Sequence, residues 1–450
     1  MTNAALGPAS VASPERHPPG LRYLFLTEAW ERFSYYGMTS LVVLYMVQRL
    51  LVPGQIDDVA GLKMFRYGIE TVTGPLSTRA LASQIFGFYT AFVYLTPLLG
   101  GLLADRLLGA RRTVLLGALL LSAGHFAMAF DRSFLVALLL LMCGTGCMKG
   151  NISAQVGALY PPEDDERRTR GYVIFYTGIN IGATLGPLVC ATLAQFRGWH
   201  AGFGVAGGLM LISVVTYFAG FRHLPPDPPL HRHRDKAPPL TAGQKRRVLA
   251  LLPVFGITIF QTIAYYQCFN VGQIWISEHV ALDTVLGRIP APWFNSVDAL
   301  VSVLSVPPLL AFWRWQERRG VEPGTIGKIG WGAALCTLSS LLLVAATMSA
   351  GPARVSPLVP LVAIAGMGLA LNFYWPPTLA LVSRVAPVSV RSTMMGVAYL
   401  SYFVANLLKG WLGTFYDPLG PAGFWLLNST VAATGLALIL IFGRRLSRAF

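Results

Sequence analysis

Apolar stretches recur along this chain at about 22–51, 80–104, 112–130, 133–159, 172–195, 201–221, 247–276, 293–313, 327–349, 357–383, 393–414 and 423–443, separated by short polar connections. Each is near or above the ~20 residues that an α-helix needs to cross a hydrocarbon core at ~1.5 Å of rise per residue. The pattern predicts an all-α integral membrane protein with about twelve spanning helices. One longer polar break, His223 to Lys245, follows the sixth stretch, and its Pro225-Pro226-Asp227-Pro228-Pro229 and Pro238-Pro239 runs disfavour helix and sheet. The expected organisation is a tail at 1–21, a six-helix bundle at 22–222, a linker at 223–245, a second six-helix bundle at 246–443 and a tail at 444–450. Two such halves around a midplane site are the usual plan of a transporter.

Composition agrees, with 54% hydrophobic and only 12% charged residues. A net charge of +15 would point to nucleic acid in a soluble protein, but here the charge is sorted by topology. Of the 35 basic residues, 24 fall in the tails and connections on one side and eight on the other, which predicts that both termini are cytoplasmic and that no nucleic acid is bound. Residues 1–20 lack the apolar core and cleavage site of a secretory signal, so the first span is expected to act as an uncleaved insertion signal in the plasma (inner) membrane. Cys143, Cys147, Cys190, Cys268 and Cys336 all lie in apolar stretches and read as small hydrophobes. His223, His231 and His233 sit in the Pro-rich break and read as solvated side chains; no metal or cofactor is expected. The external connection from Pro53 to Arg79 reads as a solvated loop.

Within this apolar frame a few charges stand out. Glu28, Glu31 and Arg32 share one face of the first predicted helix, and Arg32 falls about 15 Å beyond Arg22, near mid-membrane. Charges at that depth must face protein or water and mark an ion or substrate path. Lys149 is a second buried cation and needs an anion, which leaves two readings: a structural partner in Glu28 or Glu31, or the carboxylate of a substrate. Asp298 is a lone carboxylate in the eighth stretch, and Lys409 in the eleventh either pairs with it or snorkels outwards, the second being the expectation.

The cytoplasmic turn Gly101-Leu102-Leu103-Ala104-Asp105-Arg106-Leu107-Leu108-Gly109-Ala110-Arg111-Arg112 resembles the loop motif of the major facilitator superfamily. Its glycines permit a tight turn and close helix approach, and Asp105 can cap or pair with basic groups near helix ends, so Gly101, Asp105, Arg106, Gly109 and Arg111 read as a conformational-switch loop. Two further stretches are similar to the proton-dependent oligopeptide transporter family of that superfamily: Glu28 through Gly37, an ExxERFxYYG match, and Lys149-Gly150-Asn151 running on to Phe175-Tyr176-Thr177-Gly178-Ile179-Asn180. Weaker matches occur at Tyr94-Leu95-Thr96-Pro97, Ile289 to Ser296, Val385-Ala386-Pro387 and Met394-Met395-Gly396. The resemblance implies a major facilitator fold of two six-helix bundles. It also implies that Lys149 takes the peptide carboxylate and that Arg32, Tyr35, Tyr36, Tyr89 and Asn180 line the peptide site.

The chain also departs from that family's pattern. Where relatives carry an arginine on helix 1 and a partner glutamate on helix 7, it has Thr39 and, by alignment, Tyr266 or a neighbour, so both charges are lost together and the usual outward gate is neutral. The helix 10 carboxylate is replaced by Leu371 or Asn372, a helix 11 aromatic by Ala398, and an Asn-Pro pair on helix 8 by Asp298-Ala299. These changes move the expected site for the peptide ammonium, for a proton, or for both, onto Asp298. The whole reads as a monomeric symporter of di- and tripeptides with protons, in which Glu28 and Glu31 bind the proton and Arg32 tunes them. A facilitator-type proton antiporter exporting drugs or other solutes is the rival reading, and a non-transporting receptor or membrane enzyme a remoter one.

Overall fold

The computed structural model describes residues 16–161, 163–227, 240–285, 287–387 and 389–450. The remaining residues, among them most of the N-terminal tail, the centre of the linker, His231 and His233, lie outside the described residues. Among the described residues the fold has fifteen α-helices: α1 Pro19–Tyr45, α2 Leu62–Thr73, α3 Thr78–Leu103, α4 Ala110–Ala127, α5 Phe134–Ala158, α6 Asp165–Arg197, α7 Trp199–Gly220, α8 Ala242–Gln267, α9 Val271–His279, α10 Phe294–Leu304, α11 Val306–Arg318, α12 Thr325–Ala350, α13 Leu358–Val385, α14 Arg391–Leu412 and α15 Tyr416–Ser447.

The packing repeats. In the first half α1 lies against α6 and α7, α3 and α4 against α5, and α4 against α7; in the second, α8 lies against α14 and α15, α10 and α12 against α13, and α12 against α15. Two bundles of the same plan therefore meet face to face, through α3 on α14 and α6 on α10. Close approach of α1 and α6 is built in by small residues: a Cβ at Gly182 would sit 2.6 Å from the Ala29 carbonyl and the Phe33 amide, so the face bearing Glu28, Glu31 and Arg32 is pinned against α6.

Among the described residues eight helical segments are long and apolar enough to span a membrane, and α10 with α11, bent by 42° at their junction, makes a ninth together. Helix α1 is not among these segments, and it is the helix that carries Glu28, Glu31 and Arg32. Large apolar side chains such as Leu98, Leu119, Phe126 and Leu440 are exposed on the outside of the bundles, as a lipid-facing surface requires.

Several sequence expectations are corrected. The external connection after α1 is not simply a solvated loop, because α2 forms there, tied down where Glu70 accepts from Arg66 Nε at 2.8 Å and the Leu76 amide at 3.0 Å. The seventh stretch breaks at 268–270 into α8 and α9, and the eighth at Ser305 into α10 and α11. The linker ends earlier than Lys245: Thr241 and Gln244 form a reciprocal capping box that starts α8 at Ala242. The chain is not purely helical, since Asp283–Thr284 (β1) pairs antiparallel with Gly287–Arg288 (β2). All five cysteines are free.

Candidate substrate and coupling site

On α1 the three charges form one buried unit. Arg32 donates to both oxygens of Glu31, with the NH2 bond at 2.7 Å, and its Nε lies 3.2 Å from Glu28 Oε1. All three side chains are nearly sealed from solvent, and Glu28 Oε2 is buried with no hydrogen-bond partner. One guanidinium thus serves two carboxylates, and the orphan oxygen of Glu28 is the place where a proton would add with least disturbance. Arg32 also stacks on Tyr35, 5.1 Å from guanidinium carbon to ring centroid, and Tyr35 meets Tyr36 edge to face.

Lys149 projects from α5 and is half-buried. It pairs with neither Glu28 nor Glu31; its ammonium sits 4.5 Å over the Tyr94 ring, with no carboxylate partner among the described residues. From there an unbroken line of tyrosines leads into the second half. The Tyr94 hydroxyl meets the Tyr266 hydroxyl at 2.6 Å, Tyr266 packs edge to face on Tyr265 at 4.8 Å, and Tyr265 donates to Asp298 Oδ2 at 2.7 Å. The other oxygen of Asp298 is buried and unpartnered, close to where a Cβ at Gly368 would be, 2.9 Å away. Among the described residues neither Lys149 in one half nor Asp298 in the other has an ion-pair partner, and Tyr94, Tyr266 and Tyr265 lie between them.

Tyr89 is buried and its hydroxyl has no hydrogen-bond partner. Asn180 is half-buried and donates to the Tyr176 carbonyl of its own helix at 2.9 Å. Thr39 likewise bonds back to its own helix, at Tyr35, so the neutral pair expected at positions 39 and 266 divides: Tyr266 joins the tyrosine line and Thr39 does not. Lys409 corrects the sequence reading. It neither snorkels nor meets Asp298, but is completely buried, donating to Thr90 Oγ1 of the other half at 2.8 Å and to Asn406 Oδ1 at 2.9 Å.

The turn after α3 also differs from expectation. Gly109 does turn the chain, at a φ of 80° that favours glycine, but a Cβ at Gly101 would meet nothing within 4 Å, so no helix approaches it. Asp105 and Arg106 are exposed. The acid that caps α4 comes from the linker instead: Asp227 accepts from the Arg111 amide at 3.0 Å, while the Arg111 guanidinium reaches just past the end of α7, donating to the Leu224 carbonyl and, at 2.9 Å, to that of Phe221.

Beyond the tyrosines, at the end opposite the start of α1 and the end of α15, the halves are clamped. Arg79 at the start of α3 pairs with Glu278 on α9 at 2.9 Å and with Asp417 on α15 at 3.0 Å, and Ser77 also donates to Asp417. Trp293 Nε1 bonds the Leu188 carbonyl of α6 at 3.1 Å and Ser83 Oγ the Gly410 carbonyl at 3.0 Å. Sequence reasoning missed this clamp because its members lie at helix ends in unrelated connections. It also passed over Tyr265, although the doublet Tyr265-Tyr266 repeats Tyr35-Tyr36 of the first helix.

Residues 33–409 match the Major Facilitator Superfamily model, and the chain belongs to that superfamily. The resemblance to proton-dependent oligopeptide transporters is supported by relatives that are peptide transporters. It is 28% identical to a di-/tripeptide transporter of Lactococcus lactis, over 94% of this chain and 95% of that one, and 28% identical to a peptide transporter of Yersinia enterocolitica, over 88% of each. A crystal structure of a peptide transporter in complex with alafosfalin superposes with a TM-score of 0.82 at 27% identity, covering 96% of both chains.

Proposed function

We propose that this protein is a proton-coupled symporter that imports di- and tripeptides by alternating access. The observation that carries the reading is the line of tyrosines between Lys149 and Asp298, two groups on opposite halves that have no ion-pair partner among the described residues. A short peptide is a zwitterion whose ends are separated by its backbone, and Lys149 and Asp298 offer a cation and a carboxyl on opposite halves, so one ligand can draw both bundles together. Tyr36, Tyr89 and Asn180 supply hydroxyl and amide contacts along the way. The relatives named as di-/tripeptide transporters support the substrate class.

Coupling follows from the α1 cluster. Arg32 cannot balance two ionised carboxylates alone, so a proton on Glu28 or Glu31 completes neutrality, and a substrate carboxylate entering near Arg32 and Lys149 changes that balance. One proton moving inward through ~150 mV supplies ~3.5 kcal/mol. The twelve-span count, cytoplasmic termini, plasma-membrane location, a linker about 223–241 and monomeric state belong to this proposal, as does the switching role of the Gly101 to Arg111 turn. α8 with α9 and α10 with α11 each count as one broken span, with both described chain ends at the cytoplasmic side. On that topology the Arg79 clamp is the outer gate.

The test is uptake of labelled dialanine by liposomes bearing the purified protein under an imposed inward proton gradient. Accumulation that collapses with a protonophore is expected; uptake indifferent to the gradient would remove the symport reading.

A further inference from the structure

Among the described residues Lys409 is the membrane-embedded cation that the mechanism above leaves unused. Its side chain is entirely buried where α14 of one half meets α3 of the other. Packing there is dry: a Cβ at Gly87 would sit 2.5 Å from the Gly410 Cα, so the two backbones nearly touch beside the lysine. The Nζ has two oxygen partners, and both are acceptors only. Thr90 spends its own hydroxyl proton on the Phe86 carbonyl at 2.7 Å, and Asn406 spends its amide on the Tyr402 carbonyl at 2.9 Å. The two acceptors take two N–H bonds, and the third N–H of an ammonium finds only the Phe86 ring, 4.4 Å from Nζ, a cation–π contact much weaker than a counter-ion.

Among the described residues no counter-charge faces it. From α3 the lysine faces Thr90 and Phe86, from α8 it faces Gln267 and Tyr266, and on its own helix it faces Asn406. Tyr266 is the titratable group in that set, and its hydroxyl is engaged with Tyr94. A dry, unpaired ammonium is among the costliest things a protein interior can hold. When α3 and α14 separate, the same amine is wetted.

We infer that Lys409 is a proton-linked latch: the gate between α3 and α14 closes on the uncharged amine, and the amine takes up a proton when that gate opens. The proton comes from the water admitted at the opening and returns to it before the interface dries, so no other group changes. The inference rests on the alternating-access reading, and it gives the external medium a second handle on the cycle. External acid holds the gate open through Lys409, while the α1 cluster loads its own proton.

Spin labels at Val72→Cys and Leu419→Cys, exposed positions on the two halves at the gated end, with Cys143→Ser removing the exposed native thiol, report the gate by double electron–electron resonance in liposomes. One exchanged proton changes the closed-to-open ratio by up to ~tenfold per pH unit. Lys409→Met, which cannot be charged, is expected to raise that ratio at pH ~7 by ~tenfold or more over the unsubstituted chain. Lys409→Arg, which stays charged, is expected to lower it. The inference is overturned if Lys409→Met leaves the ratio unchanged or lowers it, as a merely structural bond would, or if Lys409→Arg closes as fully as lysine. Counterflow of dialanine in the same liposomes separates the two questions: absent counterflow with these distance changes intact would sink the peptide reading and leave the latch standing.

Discussion

Arg32 and Lys409 are both fully buried cations in membrane-crossing helices, and the fold treats them in opposite ways. Arg32 is given two carboxylates from its own helix, one bidentate, so its charge is always answered. Lys409 is given a hydroxyl and an amide oxygen, half of that support from the other bundle. The first arrangement is independent of how the halves sit; the second exists only while they are closed on one another. A permanent charge cluster suits a site that binds protons and substrate in every state, and a conditional one suits a gate.

The largest expected effect breaks the first arrangement. Arg32→Met strands two buried carboxylates and should destabilise the protein by ~3–5 kcal/mol, read as a loss of monodisperse protein on detergent thermal scans. Lys409→Met strands no charge and should cost far less in the same assay; equal losses would erase the contrast. Next, Glu31→Gln leaves Glu28 to answer Arg32, and is expected to abolish gradient-driven accumulation of dialanine while sparing counterflow. Asp298→Asn keeps the Tyr265 bond but removes the free carboxyl, and should weaken dipeptide affinity by ~tenfold, about 1.4 kcal/mol. Unchanged affinity and unchanged pH dependence would dismiss Asp298.

How much of this was legible depended on whether partners were local. Glu28, Glu31 and Arg32 sit within five residues and on one helix face, so spacing alone predicted their cluster. The paired losses at Thr39 and at Tyr266 or a neighbour were legible only against the pattern of the family the chain resembles, and the cost of a lone buried charge explains why they go together. Nothing local told that Lys409 points inward, because its partner Thr90 is more than three hundred residues away in sequence and on the other half. For the same reason the Asp227 cap on α4 was hidden inside a proline-rich linker, and the Arg79 clamp among helix ends. Helix breaks at 268–270 and 305 were missed because apolar content continues across them.

Smaller effects sharpen the comparison further. Tyr266→Phe removes the hydroxyl contact between the halves and should cost ~1 kcal/mol of closed-state stability, about a fivefold change in the closed-to-open ratio. Smallest is Glu70, outside the spans, whose carboxyl the Leu76 amide and Arg66 hold below the ordinary carboxylate range. A depressed carboxyl stabilises above its unfolded pKa and loses that as pH falls through its folded one, so α2 should show faster amide exchange below pH ~4 and in Glu70→Gln.

The central claim is that Lys149 and Asp298 receive the two ends of one peptide. Competition for labelled dialanine uptake by N-acetyl-dialanine, which lacks the ammonium, and by dialanine amide, which lacks the carboxylate, tests it directly. Both blocked peptides should compete at least tenfold more weakly than dialanine, with Asp298→Asn removing the penalty for the acetylated one and Lys149→Gln the penalty for the amide. Blocked peptides that compete as well as dialanine, or penalties that survive in those variants, would contradict it.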